Sequence, residues 1–389
     1  MSTNFLKTLI KGIGHEKASL MFDGLGSAEF NTFIDTGSYT LNAAFGGSLF
    51  SGFADNKIGG LAGESATGKT YLLLGIVRSF LKRFPTAIII FCDTEGATTK
   101  KMMEDRGINT ENVALLEPPT VEEFRDLILR TLTTYEEMPV VKGEEKPRML
   151  ICLDSLGQLT TMKELGNAEG EKNKADMGNR STIIRSAFRV ITLKAARLNV
   201  PILVTNHTYA NISKYGAGQT MGGGGGLKYA ASTILQLSKS KLKEDDEVIG
   251  SALKVKITKS RLSRENQEVE TRILYDGGID RYYGLLEMAI ESSVWKKMST
   301  KVAIDFFTAE EAIVLNEGRK EKDYVKDGDA KTLLFGKEIE DNPTKYFTRE
   351  ILEKIDIWVK VNYQYGAFAD ADEILEKSEL LDKELQDEN

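Results

Sequence analysis

The sequence is sparing in the residues that most often carry metal and redox chemistry. Its 389 residues include two cysteines, Cys92 and Cys152, and two histidines. Two cysteines cannot build a disulfide framework or a metal cluster. Both lie inside apolar runs, where a thiol behaves as a small hydrophobe, so a reducing, cytoplasmic setting is expected. No apolar run reaches the roughly 18 residues that a membrane helix needs, and the longest lipid-like stretch, 87–92, is strand-sized. The first 11 residues lack the long apolar core and small-residue cleavage site of a secretory signal. No internal repeat is evident.

Nor is there an excess of basic charge: 51 Lys and Arg stand against 58 Asp and Glu, a balance of −7. The last 20 residues, 370–389, hold nine acids against Lys377 and Lys383 and so carry the whole −7, leaving 49 charges of each sign in the body. The acidity belongs to one end and says nothing against nucleic-acid binding by the rest. A hydrophobic fraction of 41% and a charged fraction of 28% are globular values that exclude a wholly disordered or fibrous chain. The length suits one large domain with appendages, or two domains.

Residues 1–50 are weakly patterned. Phe5, Leu6, Leu9 and Ile10 fit a short amphipathic helix, and a turn-rich, glycine-punctuated approach follows. From residue 57 strands and helices alternate: strands over 57–62, 87–92, 113–116, 149–153 and 201–205, and helices over 69–84, 121–137 and 181–198, the last with Ile184, Phe188, Ile191 and Ala195 along one face. Continuous apolar strands between helices predict an α/β fold, a mostly parallel sheet covered on both faces. Segments 233–238, 251–259 and 268–275 read as consecutive strands joined by polar turns, an antiparallel extension, and 284–292 resumes helical spacing. The expected division is an N-terminal segment (1–50), a large α/β core (51–292), a small C-terminal α+β domain (293–366) and an acidic tail (367–389).

The strongest signal is the run Gly63, Glu64, Ser65, Ala66, Thr67, Gly68, Lys69, Thr70. It fits G-x-x-x-x-G-K-[ST], follows an apolar strand and opens a helix, the context that a phosphate-binding loop requires. Its backbone N–H groups would face phosphate oxygens, aided by the helix N-terminus. Lys69 would reach the β- and γ-phosphates of ATP, and the Thr70 hydroxyl would hold Mg2+. Asp154, ending the apolar run 149–153, fits the carboxylate that orients the metal. Glu95 follows strand 87–92 at the edge where open α/β sheets place ligands, and a carboxylate there can polarise an attacking water; Asp93 competes for that role. His207 stands at the same edge. The segment 208–226 that follows, with Met221 and five consecutive glycines, reads as a long loop, and so does the polar stretch 165–180. Lys172, Lys174 and Arg180, with Arg185 and Arg189 on the next helix, suit a phosphate backbone running past both loops.

These motifs resemble, in order and spacing, the RecA family of DNA strand-exchange proteins. Residues 63–70, Phe91 to Glu95, Leu153 to Gly157, Thr205 to Tyr209, Met221 to Ser232 and Asp276 to Asp280 carry the resemblance, which spans roughly 34–290. It implies a RecA-like ATPase core that forms helical filaments on single-stranded DNA, pairs it with homologous duplex and exchanges strands in recombination and repair. It implies further a single-stranded-DNA-binding protein and a recombination mediator as partners and, if the chain is phage-encoded, a host-cytoplasmic location. By resemblance Glu95 activates water. His207 occupies the position that senses the γ-phosphate, where bacterial RecA has glutamine; histidine can make the same hydrogen bonds and can also titrate. Residues 169–178 match the first DNA loop, with Met177 at the family's inserted methionine, and Gly223, Gly224 and Gly225 fall on the second. Lys259 and Arg261 match two basic residues, both lysine in bacterial RecA, that reach the neighbouring subunit's ATP; arginine replaces a point charge with a fork. Where relatives commonly pack a tyrosine on adenine, this chain offers Met102 or Met103. A ring-shaped motor or helicase on the same core, and a nucleotide-regulated DNA-binding scaffold, remain the alternatives. The acidic tail fits either an anionic competitor for the DNA path or a docking peptide.

Overall fold

The computed structural model describes residues 2–14, 32–140, 143–169, 179–213, 216–222 and 225–365. The chain begins with α1 (Ser2–Ile13), β1 (Phe33–Ile34), α2 (Tyr39–Gly46), β2 (Phe53–Ala54), β3 (Ile58–Gly63), α3 (Lys69–Arg83), β4 (Ile88–Asp93), α4 (Lys100–Glu104), β5 (Val113–Leu116), α5 (Val121–Glu137), β6 (Met149–Asp154) and α6 (Met162–Glu169). It continues through α7 (Asn179–Arg197), β7 (Ile202–Ser213), β8 (Gly216–Met221), α8 (Gly226–Ala230), β9 (Thr233–Glu244), β10 (Glu247–Ser260), β11 (Glu268–Leu274) and β12 (Gly278–Ile279). Last come α9 (Leu285–Glu291), β13 (Lys296–Met298), β14 (Lys301–Phe306), α10 (Ala309–Asn316), β15 (Ala330–Phe335), α11 (Gly336–Asp341), α12 (Pro343–Tyr346) and α13 (Arg349–Tyr363). Among the described residues no helix is long and apolar enough to cross a membrane.

The described residues form two compact units, one from Met1–Ile34 and Phe53–Leu237, the other from Asp35–Gly52 and Ser238–Asn389. In the first, the strand order is β9-β3-β7-β6-β4-β5, and every pair is parallel. Apolar runs form these strands because both faces are covered. Ile58, Ala62, Ile90, Cys92, Ile151, Leu153, Ile202 and Val204 meet α5 and α7 in one core. The alternate residues, Leu61, Ile89, Phe91, Leu150, Cys152 and Leu203, are equally buried and by the period-two rule point to the other face, where α3 packs on β3, β6 and β7. Helix α5 starts where the Thr120 side chain accepts from Glu123 N–H at 3.2 Å. It buries Val121, Phe124, Ile128, Leu132 and Tyr135, a 3.6-residue stripe. Phe124 and Phe188 meet with ring centroids 6.2 Å apart. Each such side chain, fully buried, stabilises the fold by roughly 1.5–3 kcal/mol. Burial raises the Cys92 thiol to about 12 and lifts Cys152 as well, so both are inert hydrophobes.

The structure corrects both expected loops. Residues 208–226 are not one long loop: β7 runs on to Ser213 and pairs antiparallel with β8, from Thr208↔Met221 to Ser213↔Gly216. Thr208, Tyr209 and Ile212 favour extended backbone, which outweighs the glycine content. The stretch 165–180 begins inside α6. Thr161 and Glu164 form a capping box there, the Glu164 side chain accepting from Thr161 N–H at 2.8 Å and the Thr161 hydroxyl from Glu164 N–H at 3.1 Å. Between α6 and α7, residues 170–178 lie outside the described residues.

In the second unit β10, β11 and β12 pair antiparallel. Asp245 and Asp246, both at positive φ (46° and 67°), make the two-residue turn between β9 and β10. The glycine-punctuated approach holds a buried helix, α2, closed by Gly47 at φ 76°. Arg281 lies 4.2 Å over the Tyr39 ring and pairs with Asp35 at 2.7 Å. Strands β13-β14-β15 form a small antiparallel sheet, and buried Trp295 packs on Phe347 at 4.8 Å between centroids.

Candidate active site

The site is built where β3, β4 and β6 end, beside the middle of β7. β3 leads into the glycine loop, and two of its glycines are required. A Cβ at Gly63 would sit 2.7 Å from Thr67 Oγ1 and 2.8 Å from the Leu237 carbonyl oxygen. Gly68 stands at φ 91°, left-handed backbone, and caps α3 without any side-chain hydrogen bond. The first N–H groups of α3 are therefore left for an external acceptor, at the positive end of the helix dipole. That cradle fits the phosphates of a nucleotide. The Thr67 hydroxyl pins the loop by donating to Glu64 O at 2.9 Å. Lys69, 5% exposed, donates from Nζ to Gly63 O at 3.0 Å and Glu64 O at 2.7 Å. Burial pulls its ammonium below the usual lysine range, while the charges of Asp154 and Glu95 pull the other way.

Asp154 ends β6 and is buried. Its Oδ2 accepts from the Thr70 hydroxyl at 2.6 Å, and its Oδ1 accepts from Thr205 Oγ1. Burial raises its pKa, the two hydroxyls oppose, and the charges of Glu95 and Asp93 add to the rise. A carboxylate whose charge is penalised in this way, bonded to the loop threonine, fits a divalent cation held between the two.

Two carboxylates follow β4, and the structure separates their work. Asp93 is 4% exposed; its Oδ1 accepts from the N–H groups of Glu95 and Gly96, and its Oδ2 from that of Thr98, each at 2.9 Å. It is consumed in holding the turn. Glu95, carried on that turn, has a side chain 29% exposed. Its Oε1 accepts from Ser155 Oγ at 2.8 Å and lies 2.7 Å from His207 Nε2. Burial alone would raise its pKa; the hydrogen bonds from His207 and Ser155, with the charges of His207 and Lys69, outweigh it, so Glu95 sits below the usual range and is ionised. His207 lies in register with Gly63 across the β3–β7 ladder, and its Nδ1 is 3.5 Å from Lys69 Nζ. The bond to Glu95 needs a proton on His207 Nε2. Thr94 ties the two strand ends together, its hydroxyl donating to Ser155 O at 2.7 Å and accepting from Ser155 N–H at 2.8 Å.

Lys69, Thr70, Glu95, Asp154 and His207 are thus brought together. Lys259, at the end of β10, and Arg261, exposed just beyond it, belong to the second unit. Lys172, Lys174, Met177, Gly223 and Gly224 lie outside the described residues, as does the tail from 366 onward. Gly225 is the N-cap of α8. Arg180 donates from Nη2 to Gly157 O at 2.7 Å, which makes it a strut as much as a loop cation. Arg185 lies 4.3 Å over the Tyr229 ring, and Arg189 is exposed on α7. Met103 is buried and Met102 half-buried, so Met102 is the one of the pair with surface for a base. Sequence reasoning assigned no role to Thr205 or Ser155. A hydroxyl pair closing otherwise apolar strands is the signal that could have found them, because a buried hydroxyl must have a partner.

Comparison with known proteins gives a match to the RecA N-terminal domain over residues 4–280. The "Recombination and repair protein" of Enterobacteria phage T4 is 31% identical over 251 residues, 64% of this chain and 61% of that protein. "Protein RecA" of Acinetobacter baylyi is 29% identical over 266 residues, 68% of this chain and 71% of its own length. "Protein RecA" of Paracoccus denitrificans is 27% identical over 264 residues, 67% and 69% of the two chains.

Proposed function

This chain belongs to the RecA family, and from that premise we propose that it is an ATP-dependent recombinase: a filament on single-stranded DNA that pairs it with homologous duplex and exchanges strands. The observation that supports this best is the continuity of β7. The strand that presents His207 to Glu95 and Lys69 runs on through the hairpin to Met221 and the glycine run, so one element joins the hydrolytic groups to the segment matched to the second DNA loop.

In this reading the loop Gly63–Thr70 and the α3 N-terminus bind the triphosphate, with Lys69 on the β- and γ-phosphates. Mg2+, when bound through Thr70 and Asp154, supplies charge neutralisation at those oxygens. Glu95, ionised and aimed by Ser155 and His207, accepts the proton of the attacking water. His207 exchanges its bond to Glu95 for one to the γ-phosphate and so reports which nucleotide is present. Lys259 and Arg261 complete the site of a neighbouring subunit, and residues 1–50, with Phe5, Leu6, Leu9 and Ile13 exposed on α1, form the oligomerisation segment. The basic groups Lys172, Lys174, Arg180, Arg185 and Arg189, with Met177 and Gly223 to Gly225, line the DNA path. A single-stranded-DNA-binding protein and a mediator assist, in the cytoplasm.

Negative-stain imaging with ATP and single-stranded DNA tests the reading. Helical filaments along the DNA are expected. Closed rings, with ATP turnover retained, would support a ring motor on the same core instead.

A further inference from the structure

Behind His207 three segments meet around one side chain. Asn206 is fully buried. Its Nδ2 donates to Gly222 O at 2.9 Å, while its Oδ1 has no hydrogen-bond partner among the described residues. That oxygen faces two glycines: a Cβ at Gly157, or one at Gly222, would come within 3.2 Å of it. The Gly222 Cβ would also lie 3.4 Å from the Gly157 Cα, so these two backbones approach closely and a side chain at either would crowd the amide. Each segment leads somewhere different. Gly157 stands three residues after Asp154, and its carbonyl is held by Arg180, at the start of α7, where the segment matched to the first DNA loop ends. Gly222 closes the β7–β8 hairpin, its N–H donating to His207 O at 2.8 Å, and opens the glycine run of the second. Asn206 itself precedes His207.

We propose that Asn206 is a positioning residue that couples both DNA loops to the hydrolytic pair Glu95–His207. Gly222 is held twice from adjacent positions of β7, by the Asn206 amide through its carbonyl and by the His207 carbonyl through its N–H. A displacement of the glycine run therefore moves His207, which holds Glu95. The Gly157–Arg180 contact brings the other loop to the same point. The unpartnered Oδ1 is the free acceptor of this node: its bonding is incomplete in the arrangement seen, so a rearranged loop can offer it a donor and shift the balance between two states. This coupling rests on the recombinase reading and adds to it a buried residue that stands next to His207.

The test is the full chain carrying Asn206→Ala. Hydrolysis is measured with and without an oligo(dT) strand, alongside the affinity for a fluorescent ATP analogue. Coupling predicts DNA-free turnover, KM for ATP and nucleotide affinity within about twofold of wild type, with DNA-stimulated kcat lower by about tenfold, inside the range usual for coupled sites. Gly157→Ala, whose methyl would press on Oδ1 without deleting a hydrogen bond, should reduce stimulation in the same direction and carries the test if Asn206→Ala does not fold. Wild-type stimulation in either soluble variant would overturn the proposal, and so would DNA-free turnover and nucleotide affinity that fall in step with stimulation, the mark of a merely structural residue. A wild-type chain that DNA does not stimulate would instead overturn the recombinase reading, and the coupling with it.

Discussion

Asp93→Asn separates the two carboxylates that follow β4. Asp93 is 4% exposed and accepts three backbone N–H groups at 2.9 Å, those of Glu95 and Gly96 on one oxygen and that of Thr98 on the other. Asparagine keeps one acceptor, best spent on the shared pair, and sets its NH2 against the Thr98 N–H. A hydrogen bond to a charged group contributes roughly 1.5–3 kcal/mol, and a buried donor left without an acceptor costs about 1–3 kcal/mol. The two overlap, so a net loss of about 2–4 kcal/mol is expected. For a unit of this size each kcal/mol lowers the melting temperature by about 2–4 °C, which puts the variant roughly 4–16 °C below wild type. Glu95 rides on the same turn, so turnover falls as well, while nucleotide affinity, set by the glycine loop, is retained. Thermal unfolding followed by circular dichroism, with an ATP titration beside it, reads both effects. An Asp93→Asn protein that melts with wild type but has lost all turnover would refute the reasoning, because it would make Asp93 the base rather than the brace.

Four further outcomes follow from the site. Lys69→Ala should abolish ATP turnover; turnover within about twofold of wild type at saturating ATP and DNA would overturn the phosphate-loop assignment. Glu95→Gln should keep nucleotide and DNA binding and lose roughly 10²–10⁴-fold in hydrolysis, with filaments that outlast wild type in ATP; shorter-lived filaments would count against its role. Mixing Lys259→Ala with Lys69→Ala protein should restore activity above the sum of the two, since some sites in a mixed filament are complete; no gain would argue against a site shared between subunits. Removing residues 370–389 should strengthen duplex capture most at low salt, with the advantage shrinking as the Debye length falls from about 30 Å at 0.01 M to about 10 Å at 0.1 M; equal affinities across the salt series would dismiss the tail as a competitor.

Much of the parallel sheet was legible because burial on both faces leaves a plain mark. Runs such as 149–153 can hardly be anything but a covered strand, and β5 and α5 have the expected bounds. The glycine loop was legible because its backbone geometry admits few residue types. What the sequence concealed depends on contacts made across the fold. Asp93 and Glu95 are two carboxylates two residues apart, and only the three N–H groups converging on Asp93 show which one is spent on structure. Thr205 reaches Asp154 from a strand 51 residues away. Asn206 reads as one polar residue among several until its neighbours Gly157 and Gly222 are seen. The β7–β8 hairpin was hidden because five glycines weigh more in a reading by composition than the alternating residues before them, and α2 because glycines flank it on both sides.

The measurement that bears most directly on the central claim is strand exchange itself. Wild-type chain with ATP and Mg2+ is assembled on a single strand, then given a duplex whose labelled strand is identical to it, and release of that strand is followed with time. Release is expected to require ATP, to stop when the duplex is heterologous and to be absent with Lys69→Ala. Release that proceeds equally on heterologous duplex would mark a motor that unwinds without regard to sequence, and a protein that binds both DNAs and hydrolyses ATP yet releases nothing would not be a strand-exchange protein.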